Sequence, residues 1–274
     1  MNARTSQDSN LDVGRAFQTI QYTETDSIAT ITLDRPAQRN AIDAVMRTEL
    51  GQVISAIRQN RGIKVLILQG AGDAFCAGGD IGAMAENQDA EQARDRMVSL
   101  QGIIRDLLCM DKIIVAAVHG GAYGAGLGLA LTADLILATP QARFCLSFLR
   151  LGAVPDCGVF YTLTRIVGPR VAKQLALSTR EIDAAQAREM GIVYEIHEND
   201  QIATRASDIA QRLSVLPAAS LGMTKKIFDS SLDSSLDAVL EMEAIAQGIA
   251  RSTEFHHDSV ERFKRKDPFV YQGL

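Results

Sequence analysis

The stretch Ile113–Ala138, IIVAAVHGGAYGAGLGLALTADLILA, constrains the fold more than any other part of the chain. Its β-branched, apolar start, Ile113 to Val118, reads as a buried strand. Gly120, Gly121, Gly124, Gly126 and Gly128 follow, then a short apolar helix and a second strand from Leu135 to Ala138. A strand that opens through glycines into a helix aims backbone N–H groups, and the positive end of the helix, at one point. Such a point suits an anion or a carbonyl oxygen that gains negative charge. Glycines remove Cβ atoms, so a ligand can come close to the backbone.

The surrounding pattern is α/β. Ser27 to Leu33 reads as a strand, ended by the turn Asp34-Arg35-Pro36. Gln38-Arg39-Asn40-Ala41 leads into a helix from about Ile42 to Gln59, with Asn40 as its cap. Ile63 to Gln69 is a buried strand, followed by a small-residue loop, Gly70 to Ile81, and a helix from about Ala90 to Met110. Beyond the central stretch, Phe144 marks a short strand, and Leu151 to Gly158 a turn into a helix that Gly168-Pro169 breaks. Ile182 to Met190 reads as a short helix and Ile192 to Ile196 as a strand. Helical patterns follow at about Gln201–Leu213, Pro217–Asp229 and Leu236–Arg251, before a basic stretch, Glu261 to Lys266. The expected organisation is a disordered tail over residues 1–15, an α/β core over 16–198 and a helical region over 199–274.

Composition narrows the function classes. With 47% hydrophobic residues, a chain of 274 residues can build a substantial core. A net charge of −5 argues against general nucleic-acid binding. No run approaches the roughly 18 apolar residues of a membrane span, and MNARTSQDSNLDVGR lacks a signal-peptide core. Cys76, Cys109, Cys145 and Cys157 have no metal spacing and fit reduced thiols, so a cytoplasmic location is expected. His256-His257 is not a metal pair, because neighbours on a helix do not share a face.

A dinucleotide fingerprint fails on its own criteria. Gly124-Ala125-Gly126 opens G-x-G-x-x-G, but Leu129 stands where glycine or alanine belongs, and Asp134 comes too soon to hold a ribose. No G-x-S-x-G elbow is present. Two loops taken together are more informative. Phe75-Cys76-Ala77-Gly78-Gly79-Asp80-Ile81 and His119 to Gly126 both follow buried strands and both present small residues. Two N–H donors aimed at one oxygen form an oxyanion hole, each worth roughly 3–4 kcal/mol in the transition state.

These segments resemble the enoyl-CoA hydratase/isomerase (crotonase) superfamily. The matching pieces are Asp34-Arg35-Pro36 with Asn40-Ala41, Phe75 to Ile81, Ala116 to Ala130 with Asp134, Leu151-Gly152 with Pro155, Gly168-Pro169, and Ala184 to Val193. The resemblance spans about residues 18–270. It implies a crotonase-like spiral of ββα repeats with a C-terminal helical trimerisation region, in a homotrimer or homohexamer. It implies an acyl-CoA thioester as ligand, coenzyme A being part of the substrate and no separate cofactor being needed. The backbone N–H groups of Ala77 and Ala125 look like the oxyanion pair. Arg39, Ala41, Gly78, Gly79, Asp80 and Ile81 resemble the coenzyme A path, with Tyr123 and Gly124 beside it. Phe263 and Lys266 resemble C-terminal residues that hold the nucleotide, sometimes across a subunit boundary.

The departures from the family pattern decide the chemistry. The two glutamates of the hydratases would fall at positions 128 and 148, here Gly128 and Phe148, neither of which takes a proton. Asp156 stands where family members that shift double bonds carry an aspartate; as a purely structural residue it would cap the following helix. Walls such as Phe148, Val154 and Val159 would raise its pKa and make it a better base. The expected function is therefore an enoyl-CoA isomerase. The alternatives are a hydratase with a different water site, an aspartate nucleophile as in the family's dehalogenases, and a non-catalytic acyl-CoA binder. His119 is expected to hydrogen-bond structurally, and Cys76 and Cys157 to fill space.

Overall fold

The computed structural model describes residues 17–84 and 89–274; the expected tail, residues 1–15, lies outside them. Strands β1 (Ile20–Thr25) and β2 (Ile28–Leu33) form an antiparallel hairpin. Then come α1 (Ala44–Gln59), β3 (Val65–Gly70), a single turn α2 (Ile81–Met84), α3 (Ala90–Cys109) and β4 (Ile113–Val118). The glycine stretch forms β5 (Gly121–Tyr123) and α4 (Ala125–Ala130), followed by β6 (Leu135–Ala138) and β7 (Arg143–Cys145). Next are α5 (Val159–Ser178), β8 (Ile182–Asp183), α6 (Ala184–Glu189) and β9 (Glu195–Ile196). Four helices end the chain: α7 (Ile202–Ser214), α8 (Ala218–Ser231), α9 (Leu236–Arg251) and α10 (Glu254–Arg265).

The main sheet has the order β1-β2-β3-β4-β6-β9, parallel from β2 onward. A small second sheet, β5-β7-β8, branches off at the glycine stretch. The strands expected at Ile113–Val118 and Leu135–Ala138 form with those bounds, because both are apolar runs between clear breakers. Strand β1 has no such signal: of its residues only Ile20 is buried, so IQYTET shows no apolar alternation. The helix expected from Ile182 instead starts at Ala184. Ile182 and Asp183 pair with β7, and Asp183 then closes a capping box with Gln186. The cap of α1 is Asp43, whose carboxylate accepts from the Met46 N–H at 2.8 Å. Asn40 is fully buried and does different work. Its amide donates to Ala71 O and Ala74 O (2.8 and 2.7 Å), and its oxygen accepts from the Arg35 N–H at 2.9 Å. Gly168, at φ 76 and ψ 159, breaks α5 just before Pro169.

Both faces of the parallel sheet are covered. One face packs Leu66, Leu68, Ile114 and Ala116 against Met46, Leu50, Ile103 and Leu107 of α1 and α3. The other packs Val65, Ile67, Val115, Ala117 and Leu137 against Ile202, Ala206, Ile209 and Leu213 of α7. Helix α7 is thus a layer of the core, and a boundary at residue 198 separates it from the strands it covers. Lys64 Nζ fixes its far end by donating to Ser214 O and Leu216 O at 2.6 and 2.9 Å. A buried cation anchors α8. Lys225, 7% exposed, donates to Lys112 O (3.1 Å) and Asp134 Oδ2 (2.9 Å), and the same carboxylate oxygen accepts from the Ile114 N–H at 2.7 Å. A charge so deeply placed is tolerated only because it is paired and hydrogen-bonded. Helices α9 and α10 bury no side chain, and Leu236, Leu240, Ile245 and Ile249 of α9 are exposed. Among the described residues no helix is long and apolar enough to cross a membrane.

Glu195 ties β9 to α7. It accepts from Arg205 Nε and Nη2 at 2.8 and 2.9 Å and lies 2.7 Å from His197 Nε2. The Arg205 hydrogen bonds, above all, hold its carboxyl down to about 2 against an ordinary 4.5. A depressed carboxyl contributes stability above its unfolded pKa and loses it as pH falls through the folded value. Glu195→Gln is therefore expected to cost about 1–3 kcal/mol at pH 7 in urea unfolding. The gap from wild type should narrow below pH 4.5 and close near pH 2; a gap independent of pH would refute the assignment.

Candidate active site

Two loops leave the sheet side by side and are laced together by backbone hydrogen bonds. Phe75 N–H donates to His119 O (2.8 Å), Cys76 N–H to Gly121 O (3.0 Å) and Tyr123 N–H to Cys76 O (2.9 Å). The approach is possible only without side chains. A Cβ on Gly126 would stand 2.3 Å from Cys76 O. Gly78, at φ 101, lies so near that a Cβ would be 2.8 Å from Tyr123 O and 3.6 Å from the Ala125 nitrogen.

An account of the amides in these loops identifies the free donors. The Ala77 N–H, expected to be one of the oxyanion pair, donates to Arg39 O at 2.9 Å. The β-bridge between Ile42 and Gly79 uses Gly78 O, which accepts from the Ile42 N–H (2.8 Å), and the Asp80 N–H, which donates to Ile42 O (3.0 Å). Gly79's own N–H consequently points away from Ile42. Among the described residues it donates to no acceptor, and neither does the Ala125 N–H, which opens α4 behind the side-chain-less cap Gly124. The free donors are thus Gly79 and Ala125, and the expectation for Ala77 is corrected by two residues.

Asp156 lies on the turn before α5. It does not cap that helix: the cap position is Gly158, with no side-chain hydrogen bond. Cys157 and Gly158, which follow it, both have left-handed backbones, φ 51 and 72. Its Oδ1 is buried and, among the described residues, has no partner. Burial pushes the carboxyl's pKa up, partly offset by the Cys157 thiol and the charge of Arg96. Asp156 and Cys157 stand in the wall of a cavity of about 1710 Å³ lined by α3, α5 and α8, with Leu131 and Ile136 among its apolar residues and Arg105, Arg165 and Asp229 among its charged ones. The Ala77–Ile81 loop and Ala125 lie outside this lining. Cys157 joins the two regions, because a Cβ on Gly128 would stand 2.4 Å from Cys157 Cβ. The volume from which a carboxylate at position 128 would extend is therefore filled. Phe148, 9% exposed, lies beside Gly124, with its ring 3.8 Å from where a Cβ there would be.

The remaining expected residues divide into two groups. Arg39, Ala41, Gly78, Asp80 and Ile81 gather around the first loop, organised by Arg35. Arg35 donates to Ala41 O (2.6 Å) and Asp80 Oδ2 (3.0 Å) and lies 3.2 Å from Asp43 Oδ2. Ile81, 62% exposed, begins α2. Tyr123 does not line the cavity with Asp156. Its ring lies over Gly121, where a Cβ would be 2.3 Å away, and burial and nearby Glu181 raise its pKa. Phe263 and Lys266 are not brought to the loops within this chain: Phe263 stacks on Phe269 with centroids 6.4 Å apart, and Lys266 ends α10 at φ 60. His119 Nε2 lies 2.8 Å from Gly72 O, a structural contact. Cys76 is fully buried, with its thiol pushed up to about 12 by burial, and Cys157 is likewise pushed up. Neither suits a nucleophile. Among the described residues no group of metal-ligating side chains forms. Arg35 as organiser and Gly79 as donor are the functional features that sequence reasoning missed; Cys157 was expected to fill space, but not the particular space beside Gly128. Arg35 stood inside a motif already singled out, whereas the Gly79 donor depends on backbone geometry.

The filled volume beside Gly128 is testable. Gly128→Ala should lower stability by about 1–3 kcal/mol through overpacking. Adding Cys157→Gly, which suits the left-handed backbone there, should recover at least about half of that loss in urea unfolding. Simple additivity of the two substitutions would show that they do not share the space.

Comparison with known proteins places this architecture. The family described as enoyl-CoA hydratase/isomerase matches residues 23–273. The chain is 32% identical to the 1,2-epoxyphenylacetyl-CoA isomerase of Escherichia coli (strain K12), over 90% of this chain and 95% of that protein. It is 29% identical to the crotonyl-CoA hydratase of Syntrophomonas wolfei, over 93% and 99% of the two chains. Among solved structures, an enoyl-CoA hydratase/isomerase from Cupriavidus metallidurans CH34 superposes with a TM-score of 0.89 at 35% identity, covering 95% of this chain and 98% of that one.

Proposed function

Because the chain belongs to the enoyl-CoA hydratase/isomerase family, we propose that it is an enoyl-CoA isomerase in which Asp156 moves one proton between two carbons of an acyl thioester. The thioester oxygen sits between the N–H groups of Gly79 and Ala125. As the Asp156 carboxylate takes a proton from carbon, the electron pair flows to that oxygen as an enolate, which the two amides and the N-terminus of α4 stabilise. Asp156 then returns the proton at a different carbon, and the double bond has moved. Atoms balance without water or a second base.

The observation that carries this reading is the buried, unpartnered Oδ1 of Asp156, beside a position 128 that Cys157 closes to a carboxylate. Burial favours the neutral carboxyl and so raises its basicity, which suits a group that must both accept and return a proton. The hydratase reading is supported by the names of relatives such as the crotonyl-CoA hydratase. It needs a water site other than a glutamate pair at positions 128 and 148, where Gly128 and Phe148 stand.

Arg39, Ala41 and the Gly78–Ile81 loop would flank the coenzyme A portion. Phe263 and Lys266 would reach it only from another copy of the chain, and the exposed apolar residues of α9 supply a surface for such a homotrimer or homohexamer. Turnover of 3-enoyl thioesters in labelled water should yield the 2-enoyl product; 3-hydroxyacyl-CoA as the main product would make the protein a hydratase. Asp156→Asn should lower kcat by about 10²–10⁴-fold while ligand still binds. In the wild type, kcat should fall toward acid pH with an apparent pKa above the ordinary 3.8, as the raised carboxyl protonates, and the variant should lack that limb.

A further inference from the structure

The cavity that begins at Asp156 is larger than a short acyl group needs. Its volume, about 1710 Å³, exceeds the roughly 300–1,000 Å³ of sites that enclose drug-sized ligands. Its shape follows from α3. Met97, Gln101, Ile104 and Leu108 line it, at the i, i+4, i+7, i+11 spacing of one helix face. That stripe is about 16 Å long at the rise of an α-helix. Phe160 and Ile166 of α5 form the facing wall. The turn bearing Asp156 meets α3 at Ile104 and Leu108, which lie 3.0 and 3.9 Å from where a Cβ on Gly158 would stand. The aspartate and this face of α3 therefore belong to one continuous surface. Phe160 is 65% exposed and Ile166 39%, apolar area that a ligand chain would cover.

We infer that the acyl group handled at Asp156 is a long, extended aliphatic chain of about ten carbons or more, laid along the α3 stripe. This inference rests on the isomerase site as the place where the thioester is held. A four-carbon chain would end beside the aspartate and leave Phe160 and Ile166 in contact with water. A compact ring would likewise leave part of a 16 Å groove unfilled. Each further methylene removed from water along the stripe contributes about fourfold in affinity or kcat/KM, the equivalent of about 0.8 kcal/mol.

Calorimetric titration of the intact protein with saturated butanoyl-, phenylacetyl- and decanoyl-CoA tests the cavity without requiring chemistry. Decanoyl-CoA should bind at least about a hundredfold more tightly than butanoyl-CoA, with phenylacetyl-CoA between them. The same order should appear in kcat/KM for the matching 3-enoyl thioesters. Gln101→Trp, which places a bulky ring on the stripe, should cut the ratio of ten-carbon to four-carbon affinity at least about tenfold. Equal affinities, tightest binding of the aromatic thioester, or an unchanged ratio in the variant would each overturn the inference; a second copy of the chain seated in the groove would produce the first result. Length-dependent binding without isomerisation would sink the proposed reaction and leave the cavity assignment standing. Isomerisation with no length dependence would do the reverse.

Discussion

The structure depends on how closely the loops after β3 and β4 approach each other. Parallel neighbours in a sheet hold their strands at a fixed spacing, yet here the backbones continue past the sheet in direct contact. Three hydrogen bonds lace Phe75, Cys76 and Tyr123 to their counterparts. The contact exists because Gly78 and Gly126 have no Cβ to collide with Tyr123 O and Cys76 O. Once the loops are joined, the start of α4 lies beside the Ala77–Gly79 segment. The free N–H groups at Gly79 and Ala125 are a geometric consequence. No side chain has to be positioned for them to exist, so the donors are as rigid as the backbone, as stabilisation of a developing oxyanion requires.

Buried polar groups keep that junction in place. Asn40 spends its amide on two carbonyls of the loop after β3 and its oxygen on Arg35, so three segments share one fully buried side chain. Arg35 in turn holds Ala41 O, Asp80 and Asp43. On the far side of the sheet, Lys64 and Lys225 attach α7 and α8 through backbone carbonyls and Asp134. The same logic runs through all of these: each desolvated donor finds an acceptor, because leaving one unmatched would cost as much as the fold can spare. Asp156 Oδ1, like Thr139 Oγ1 and Arg165 Nε, breaks that rule among the described residues, and it does so on a cavity wall. An unsatisfied buried carboxylate oxygen on a cavity wall suits a group kept ready for a ligand.

Much of this was legible in the amino-acid order. The apolar runs at Ile113–Val118 and Leu135–Ala138, the glycines between them and the break at Gly168-Pro169 are local signals, and the structure follows them. Other features were illegible for identifiable reasons. Strand β1 is recruited by pairing with β2 and buries almost nothing, so it left no pattern. Asn40 has the chemistry of a helix cap, but its backbone at φ 58 and its burial gave it another task, and Asp43 took the cap. The C-terminal helices read as one unit, yet α7, joined by Leu221 of α8, closes the second face of the sheet, because only packing distinguishes a core helix from an outlying one.

The sequence by itself determined the α/β class, the two glycine loops, the absence of carboxylates at positions 128 and 148, and the aspartate at 156, all matters of residue type and spacing. Only the tertiary structure decided which amides remain free, because the Ala77 N–H is consumed by a carbonyl thirty-eight positions away, at Arg39. It likewise decided that Cys157 occupies the space beside Gly128, and that Asp156 lines a large cavity and does not cap the helix it precedes. The physical reason is the same in each case. Residue chemistry is inherited along the chain, whereas hydrogen-bond occupancy and free volume are properties of neighbours that meet only after folding.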